Sequence, residues 1–165
     1  MSNSRGITLL LVAAVFAGTS LGAQNSASAT VSADVQQPIT VSKTNDLTFG
    51  NVFPGLSASI PVTSSSAAAF SIQGQAGANV NLTFTLPSTL SSGGNTLPVA
   101  NWVARRNTTN SSASGTDFTP SSSATAAVLS GTGALYVFVG ATAQPTVSQA
   151  AGTYTGTATM TVVYF

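Results

Sequence analysis

Apolar and polar side chains alternate with a period of two along much of the chain, most regularly in residues 153–165. Apolar residues or glycine occupy the even positions from Tyr154 to Tyr164, and threonine occupies every odd position from Thr153 to Thr161. A period of two places one set of side chains on each face of a β-strand. Threonine is β-branched and suits the solvent-facing side of a strand. We therefore predict a strand over residues 153–165, lying in the middle of a sheet.

Shorter alternating segments repeat along the chain, separated by turns that contain Gly, Pro or Ser. They are centred on residues 31–41, 47–49, 60–62, 70–72, 80–86 and 97–102. Residues 135–139 are apolar on both faces, which predicts a central strand, and Gly74 with Gly77 predicts a hairpin turn. Short strands at regular spacing predict an all-β fold, an immunoglobulin-like antiparallel β-sandwich of about seven or eight strands.

The first 23 residues have the pattern of a secretory signal peptide. Arg5 precedes an apolar run over residues 7–17, and small residues before Ala23 and Ala29 offer two cleavage positions. The run is shorter than the roughly 20 apolar residues that cross a bilayer. We therefore expect a secreted protein that passes through the periplasm to the cell surface or medium, with no transmembrane segment after cleavage.

The rest of the chain divides by pattern into an N-terminal segment and a main domain. Residues 24–42 are predicted to form either the first strand of the domain or an extension that leaves it. Residues 43–165 are predicted to form the sandwich. Within them, residues 107–127 are rich in Ser, Thr and Asn, and we predict a long, low-complexity surface loop there.

Charged residues make up only 4% of the chain, against roughly 25% in ordinary domains. Beyond Arg5, three cations and three carboxylates balance: Lys43, Arg105, Arg106, Asp34, Asp46 and Asp117. This distribution forms no basic stripe, so we predict no nucleic-acid partner. A near-neutral surface favours self-association. The composition therefore favours a subunit that is packed in an exported assembly.

The side chains that most often carry catalysis are missing from the sequence. The chain contains no His, no Cys and no Glu, so it has neither the usual general base nor a thiol nucleophile. Its three aspartates lack the spacing of a calcium loop. We therefore predict that the protein is not an enzyme, holds no metal and uses no cofactor.

Several segments, in this order along the chain, resemble the secreted bacterial family called domain of unknown function 4402. They are residues 46–50, 54–55, 70–74, 86–87 and 151–164. That family is similar to spore-coat-U-like and archaic chaperone–usher pilin subunits, which share the early Leu-x-Phe-Gly of residues 47–50 and the closing Ala-Gly-x-Tyr of residues 151–154. The resemblance implies a sandwich that lacks its final strand and is completed by donor-strand exchange with a neighbouring subunit. The implied partners are other copies of the chain in a homopolymer, a periplasmic chaperone and an usher.

The N-terminal segment has the pattern that such a donor strand needs. Five apolar side chains keep one phase and are the donor candidates: Val31, Ala33, Val35, Ile39 and Val41. In a donor, alternate side chains fill pockets while the backbone pairs with a sheet edge. The alternative is that this segment completes its own domain as a monomer. Three departures from the pilin pattern are the missing cysteine pair, the short extension before Pro38 and the insertion at 107–127.

A different class of function rests on Trp102 with Arg105 and Arg106. An exposed indole beside guanidinium groups can stack on a sugar ring or form a cation–π pair. These three residues are therefore the candidate glycan platform of a monomeric secreted binding module for surface carbohydrate. The alternative for Trp102 is a place in the hydrophobic core.

Overall fold

The computed structural model describes residues 25–165. The predicted signal peptide, residues 1–23, lies outside the described residues. The chain divides into two units at Asp34 and Val35. In the first unit, residues 25–34 are exposed and belong to no strand. Among the described residues there is no helix, and therefore no helical segment that could cross a bilayer.

Ten β-strands form the second unit. Their bounds are Thr40–Asn45 (β1), Ala58–Ile60 (β2), Ala68–Gln73 (β3), Asn79–Thr85 (β4), Thr89–Ser92 (β5), Asn95–Asn107 (β6), Thr116–Phe118 (β7), Thr125–Val128 (β8), Ala134–Ala143 (β9) and Thr159–Tyr164 (β10).

The strands form two antiparallel sheets. The larger sheet has the order β1-β3-β9-β6-β5, with β2 also paired to β9 and β7 to β6, and the smaller has the order β10-β4-β8. All of their pairings are antiparallel. The prediction of an all-β antiparallel sandwich is therefore confirmed. The central place of the doubly apolar strand is confirmed as well, since β9 lies between β3 and β6.

Two clusters of apolar side chains form the core. The main cluster comprises Ala68, Ile72, Val80, Leu82, Phe84, Ala104, Ala127, Leu129, Leu135, Val137, Val139 and Met160. The second comprises Leu97, Val99, Ala141 and Ala143. The main cluster draws side chains from both sheets, and Phe84 of β4 meets Phe118 of β7 with ring centroids 5.9 Å apart. Burial of these inward-facing side chains holds the two sheets together.

The glycine-marked turn after β3 connects the two sheets instead of closing a hairpin. Strand β3 belongs to the larger sheet and β4 to the smaller one, so the predicted hairpin at residues 74–77 is wrong. A Cβ at Gly74 would lie 2.5 Å from the hydroxyl of Tyr164 and 2.9 Å from Cδ1 of Leu129, so a larger residue here would displace both side chains. The glycines of this turn indicated where the chain changes direction, but they did not indicate which sheet the next strand joins.

The last strand is shorter than predicted and lies at an edge. Pairing with β4 runs only from Thr159 opposite Thr85 to Tyr164 opposite Val80. Beyond Thr85 the chain reaches Pro87, which has no N–H to donate and ends the ladder. Thr155 instead forms a bridge with Ser91 of β5. The prediction of a strand in the middle of a sheet is therefore wrong, because β10 has β4 as its one partner among the described strands.

The segment at residues 107–127 contains more regular structure than a surface loop. Strand β7 forms inside it and pairs with β6, and β8 begins inside it and pairs with β4. Asn107 donates from its side-chain amide to the carbonyls of Ser111 and Ser114, at 2.9 and 3.0 Å. Side-chain bonds of this kind order a polar turn without an apolar core.

We expect Leu82→Ala to lower the free energy of unfolding by about 2–5 kcal/mol, because it leaves a cavity at a fully buried position. Urea denaturation followed through Trp102, the chain's one tryptophan, would measure this. The control is Val163→Ala, where half of the side chain is exposed on β10 and the loss should stay within about 1 kcal/mol. Equal losses in the two variants would contradict the assignment of the core.

Candidate functional site at an open strand edge

On one side of β10, the backbone N–H and C=O groups pair with no strand among residues 25–165. Phe84 of β4 donates its N–H to Ser121, away from β10, and Phe84 lies opposite Met160. N–H and C=O groups alternate in direction along an antiparallel strand. The backbone groups of Met160, Val162 and Tyr164 therefore point away from β4. Among residues 25–165 no strand pairs with them, so this side of β10, the open edge, can accept another strand.

The inner face of β1, in the other sheet, is left uncovered. Val41 lies opposite the core residue Ile72, and Lys43 lies opposite Phe70. Paired residues in a sheet share a face, so Val41 and Lys43 point between the sheets. Val41 is nevertheless 40% exposed. The smaller sheet ends at β10, and this inward valine is left partly exposed among the described residues.

A groove of ≈ 840 Å³ begins at Lys43 of β1 and is lined by residues that precede β10, ending at Ala158 directly before that strand. One wall is formed by residues 43–52, which begin within β1 and continue past its end. The other wall is formed by residues 149–158, which precede β10. Its apolar lining includes Phe49, Phe70, Leu90, Leu97, Trp102 and Tyr154. The groove is therefore an opening into the hydrophobic interior of the sandwich.

A β-bulge in β6 turns Trp102 towards this groove. The pairing of β6 with β9 shifts between Ala100 and Val103, and Asn101 adopts a φ of 52°. An extra residue in one strand reverses which side chains face inward, so the inward positions change from Leu97 and Val99 to Trp102. The indole is half-buried and contacts both core clusters. The broken spacing of these three residues was the sequence signal for the bulge.

Tyrosine hydroxyls form hydrogen bonds in the wall before β10 and at the end of β10 itself. In the wall, the Tyr154 hydroxyl donates to the carbonyl of Ala150 at 2.8 Å and accepts from Gln149 at 2.7 Å. At the end of β10, the Tyr164 hydroxyl donates to the carbonyl of Gln37 and accepts from the N–H of Gln75, both at 2.7 Å. The chain's own Gln37 thus lies at the Tyr164 end of β10.

The donor candidates fall into two groups in the structure. Ile39 packs against the main core, and Val41 belongs to β1 of its own domain. Val31 and Val35 are 94% and 95% exposed, and Ala33 between them is also exposed. Strand β1 therefore begins at Thr40, before the boundary at residue 42 that the sequence pattern predicted. Of the donor candidates, only Val31, Ala33 and Val35 lie outside the sheet.

The candidate glycan platform is spread over different surfaces. Trp102 faces the groove, whereas Arg105 lies on the opposite face of β6 and binds Asp117, with Nε to Oδ1 at 2.5 Å and Nη2 to Oδ2 at 2.8 Å. This hydrogen-bonded pair lowers the pKa of Asp117 and raises that of Arg105. Arg106 reaches to β8, where it donates to the carbonyl of Ala126. The three side chains do not converge on one site.

The carboxylates are equally dispersed. Asp46 lies within the groove wall and binds Lys43 at 2.6 Å, Asp117 is held on β7 by Arg105, and Asp34 ends the exposed N-terminal unit. Within residues 25–165 no group of three metal-ligating side chains comes together. The open edge with its groove is thus the candidate site, and it is suited to binding a polypeptide segment.

A family model described as a domain of unknown function (DUF4402) matches residues 39–164. This match confirms the family that the sequence resemblance predicted, while the similarity to spore-coat-U-like and pilin subunits stays a prediction. The matched range begins directly before β1 and ends with β10. It includes the sandwich and both groove walls and excludes the exposed N-terminal residues. A search of curated proteins finds no match.

We expect Asn101→Val to destabilise the domain by about 1–2 kcal/mol, because a β-branched residue is strained at positive φ. Loss of the bulge should also expose Trp102 and shift its fluorescence emission to longer wavelength. Asn101→Gly is the control, since glycine adopts this conformation freely, and it should keep both stability and emission. An unchanged emission maximum in Asn101→Val would show that the bulge does not position Trp102.

Proposed function

Because the chain belongs to the DUF4402 family, whose description assigns no activity, we propose its function from the open edge: it is a non-enzymatic structural subunit of a secreted, pilus-like or coat-like surface assembly. In this assembly the N-terminal segment of one copy adds a strand to β10 of the next. The observation that carries the proposal is the unpaired backbone of Met160, Val162 and Tyr164 beside the uncovered inner face of β1.

The exposed N-terminal segment fits this edge in length and pattern. Strand β10 has 6 residues, and residues 31–36 offer an equal length of chain. Val31, Ala33 and Val35 share one phase, so they would all point into the gap while the backbone pairs with β10. The segment carries a single charge in this stretch, on Asp34, which lies in the opposite phase and would face solvent.

Strand addition of this kind has two sources of stabilisation. Each backbone hydrogen bond to the edge contributes about 0.5–1.5 kcal/mol net. Burial of a valine side chain contributes about 1.5–3 kcal/mol, and Val31 and Val35 are almost fully exposed before insertion. The incoming valines would also cover Val41 of the acceptor. Ordering a flexible segment costs free energy, so binding depends on both terms.

The bond between Tyr164 and Gln37 favours one direction of insertion. Gln37 of the acceptor is bonded to Tyr164 and so occupies that end of β10. A donor must stay connected to its own domain through residues 36–39, so its connection leaves at the other end, near Trp102 and Tyr154. Val35 then lies near Thr159 and Val31 near Tyr164, which makes the donor antiparallel to β10.

The remaining parts of the proposal concern export and partners. The signal-peptide pattern of residues 1–23 places the subunit in the periplasm before assembly. There, a sandwich with an open interior needs temporary cover, which a periplasmic chaperone would supply by lending a strand before an usher exchanges it. Carbohydrate binding by a monomer has less support, because the three side chains of the candidate platform do not converge: Trp102 lines the groove, Arg106 lines the cleft beside β8, and Arg105 lies on the opposite face of β6.

We expect Val35→Asp to abolish polymerisation without unfolding the domain, because a carboxylate cannot enter the apolar gap. Val162→Pro should abolish it from the acceptor side, since proline removes an outward N–H and leaves the ladder to β4 intact. Neither variant can polymerise alone. Mixed together they should form 1:1 dimers, in which the Val162→Pro chain donates to the Val35→Asp chain, and light scattering coupled to size exclusion would measure their mass.

Ser32→Asp is the matched control, because it adds the same charge to the same segment in the opposite phase, and it should still polymerise. Val31→Asp should behave like Val35→Asp. A wild-type protein that stays a monomer with a sharp melting transition would contradict the proposal. It would indicate that residues 30–42 complete their own domain, and glycan binding lost in Trp102→Ala would then support the binding-module alternative.

A further inference from the structure

The other edge of the smaller sheet is formed by β8 and, unlike the open edge, it is partly covered by a charged side chain. Leu129 donates to Ala78, and Asn81 lies opposite Ala126 in the same ladder. By the alternation of an antiparallel pair, the N–H and C=O groups of Ala126 and Val128 point away from β4. Strand β8 thus presents a second edge that another chain could add to.

Arg106 covers this second edge from the opposite sheet. It lies opposite Val137, a buried residue of β9, so its side chain starts on the inner face of the larger sheet. From there the guanidinium crosses a small cleft of ≈ 390 Å³ and donates from Nη1 to the carbonyl of Ala126. That carbonyl is one of the outward groups that an added strand would need.

The other two cations within residues 25–165 also lie on edge strands or beside them. Lys43 is on β1, an edge of the larger sheet, and Arg105 joins β6 to the three-residue β7 through Asp117. Charged side chains on edge strands oppose pairing with another chain. Strand β10 has 6 residues and carries no charge. In a chain with only 4% charged residues, this placement leaves β10 as the least protected of these edges.

We propose that Arg106 is a specificity-determining residue that prevents a second copy of this chain from pairing with β8, and so restricts association to β10. A guanidinium bonded to an edge carbonyl occupies its acceptor site and adds a charge that an incoming strand would have to desolvate. This inference concerns the opposite edge from the proposed donor site, and it holds whether or not β10 receives a donor.

The test uses the mature chain carrying Val35→Asp, so that donation to β10 cannot mask association through β8. The chain has no native cysteine, so single cysteines report each edge. Val128→Cys reports β8 and Val163→Cys reports β10, at positions that are 53% and 51% exposed. The measurement is the fraction of disulfide-linked dimer formed after mild oxidation with diamide, at a series of protein concentrations.

Arg106→Met keeps an unbranched side chain and removes both the charge and the donor. We expect it to raise dimer formation about fivefold or more in the Val128→Cys chain and to leave the Val163→Cys chain unchanged. Arg105→Met changes the net charge equally but leaves the Ala126 carbonyl covered, so it should not raise dimer formation in the Val128→Cys chain. An equal rise in dimer formation in the Arg106→Met and Arg105→Met chains would attribute the effect to net charge and contradict the proposal. No rise in the Arg106→Met chain would overturn it.

Two further variants keep the test decisive if Arg106→Met folds poorly. Arg106→Lys keeps the charge and the fold but offers a shorter reach to Ala126, so dimer formation should rise partially, and no rise here would also overturn the proposal. Adding Ala126→Pro, which removes an outward N–H from β8, should return dimer formation in the Arg106→Lys chain to the level of the chain that keeps Arg106. Persistence of the dimer in that double variant would place the contact away from β8.

Discussion

The structure depends on how many strands the smaller sheet can supply. Backbone N–H and C=O groups need partners when they are taken from water, and β4 is the one strand of that sheet with partners on both sides. The next position beyond β10 is empty among the described strands. As a result the interior between β1 and β10 stays open, an inward-facing valine on β1 remains partly exposed, and a groove reaches the core.

Most of the stable core lies away from this opening. The fully buried side chains of β3, β4 and β9 pack against each other across the two sheets, so the domain does not need the missing strand to hold its main cluster together. Tyr164 then anchors the end of β10, because its hydroxyl bonds to both Gln37 and Gln75. A well-packed body with one incomplete side is the arrangement that strand donation requires.

Among the described residues, the three cations lie on strands, each at or near a sheet edge. An almost uncharged surface lacks the repulsion that keeps many secreted domains apart, so the chain depends on individual side chains to discourage unwanted pairing. Arg105 fixes the short strand β7 through Asp117, and Arg106 covers a carbonyl of β8. The same scarcity of charge leaves β10 free to pair. The proposed association at β10 and its proposed restriction at β8 therefore rest on the same physical feature, the backbone hydrogen-bonding groups at exposed edges.

The alternation of apolar and polar residues was enough to determine the all-β class, the central strand around Val137 and the inward faces of β4 and β10, because side-chain direction has a period of two whatever the strand's neighbours are. The absence of His, Cys and Glu from the sequence likewise excluded a histidine general base and a thiol nucleophile. Sheet order was decided only in the tertiary structure, where Pro87 ends the ladder of β10 and the turn at Gly74 passes to the other sheet. The open edge beside Met160 and the bond from Arg106 to Ala126 follow from that order, since a pattern along one strand specifies its faces but not its partners.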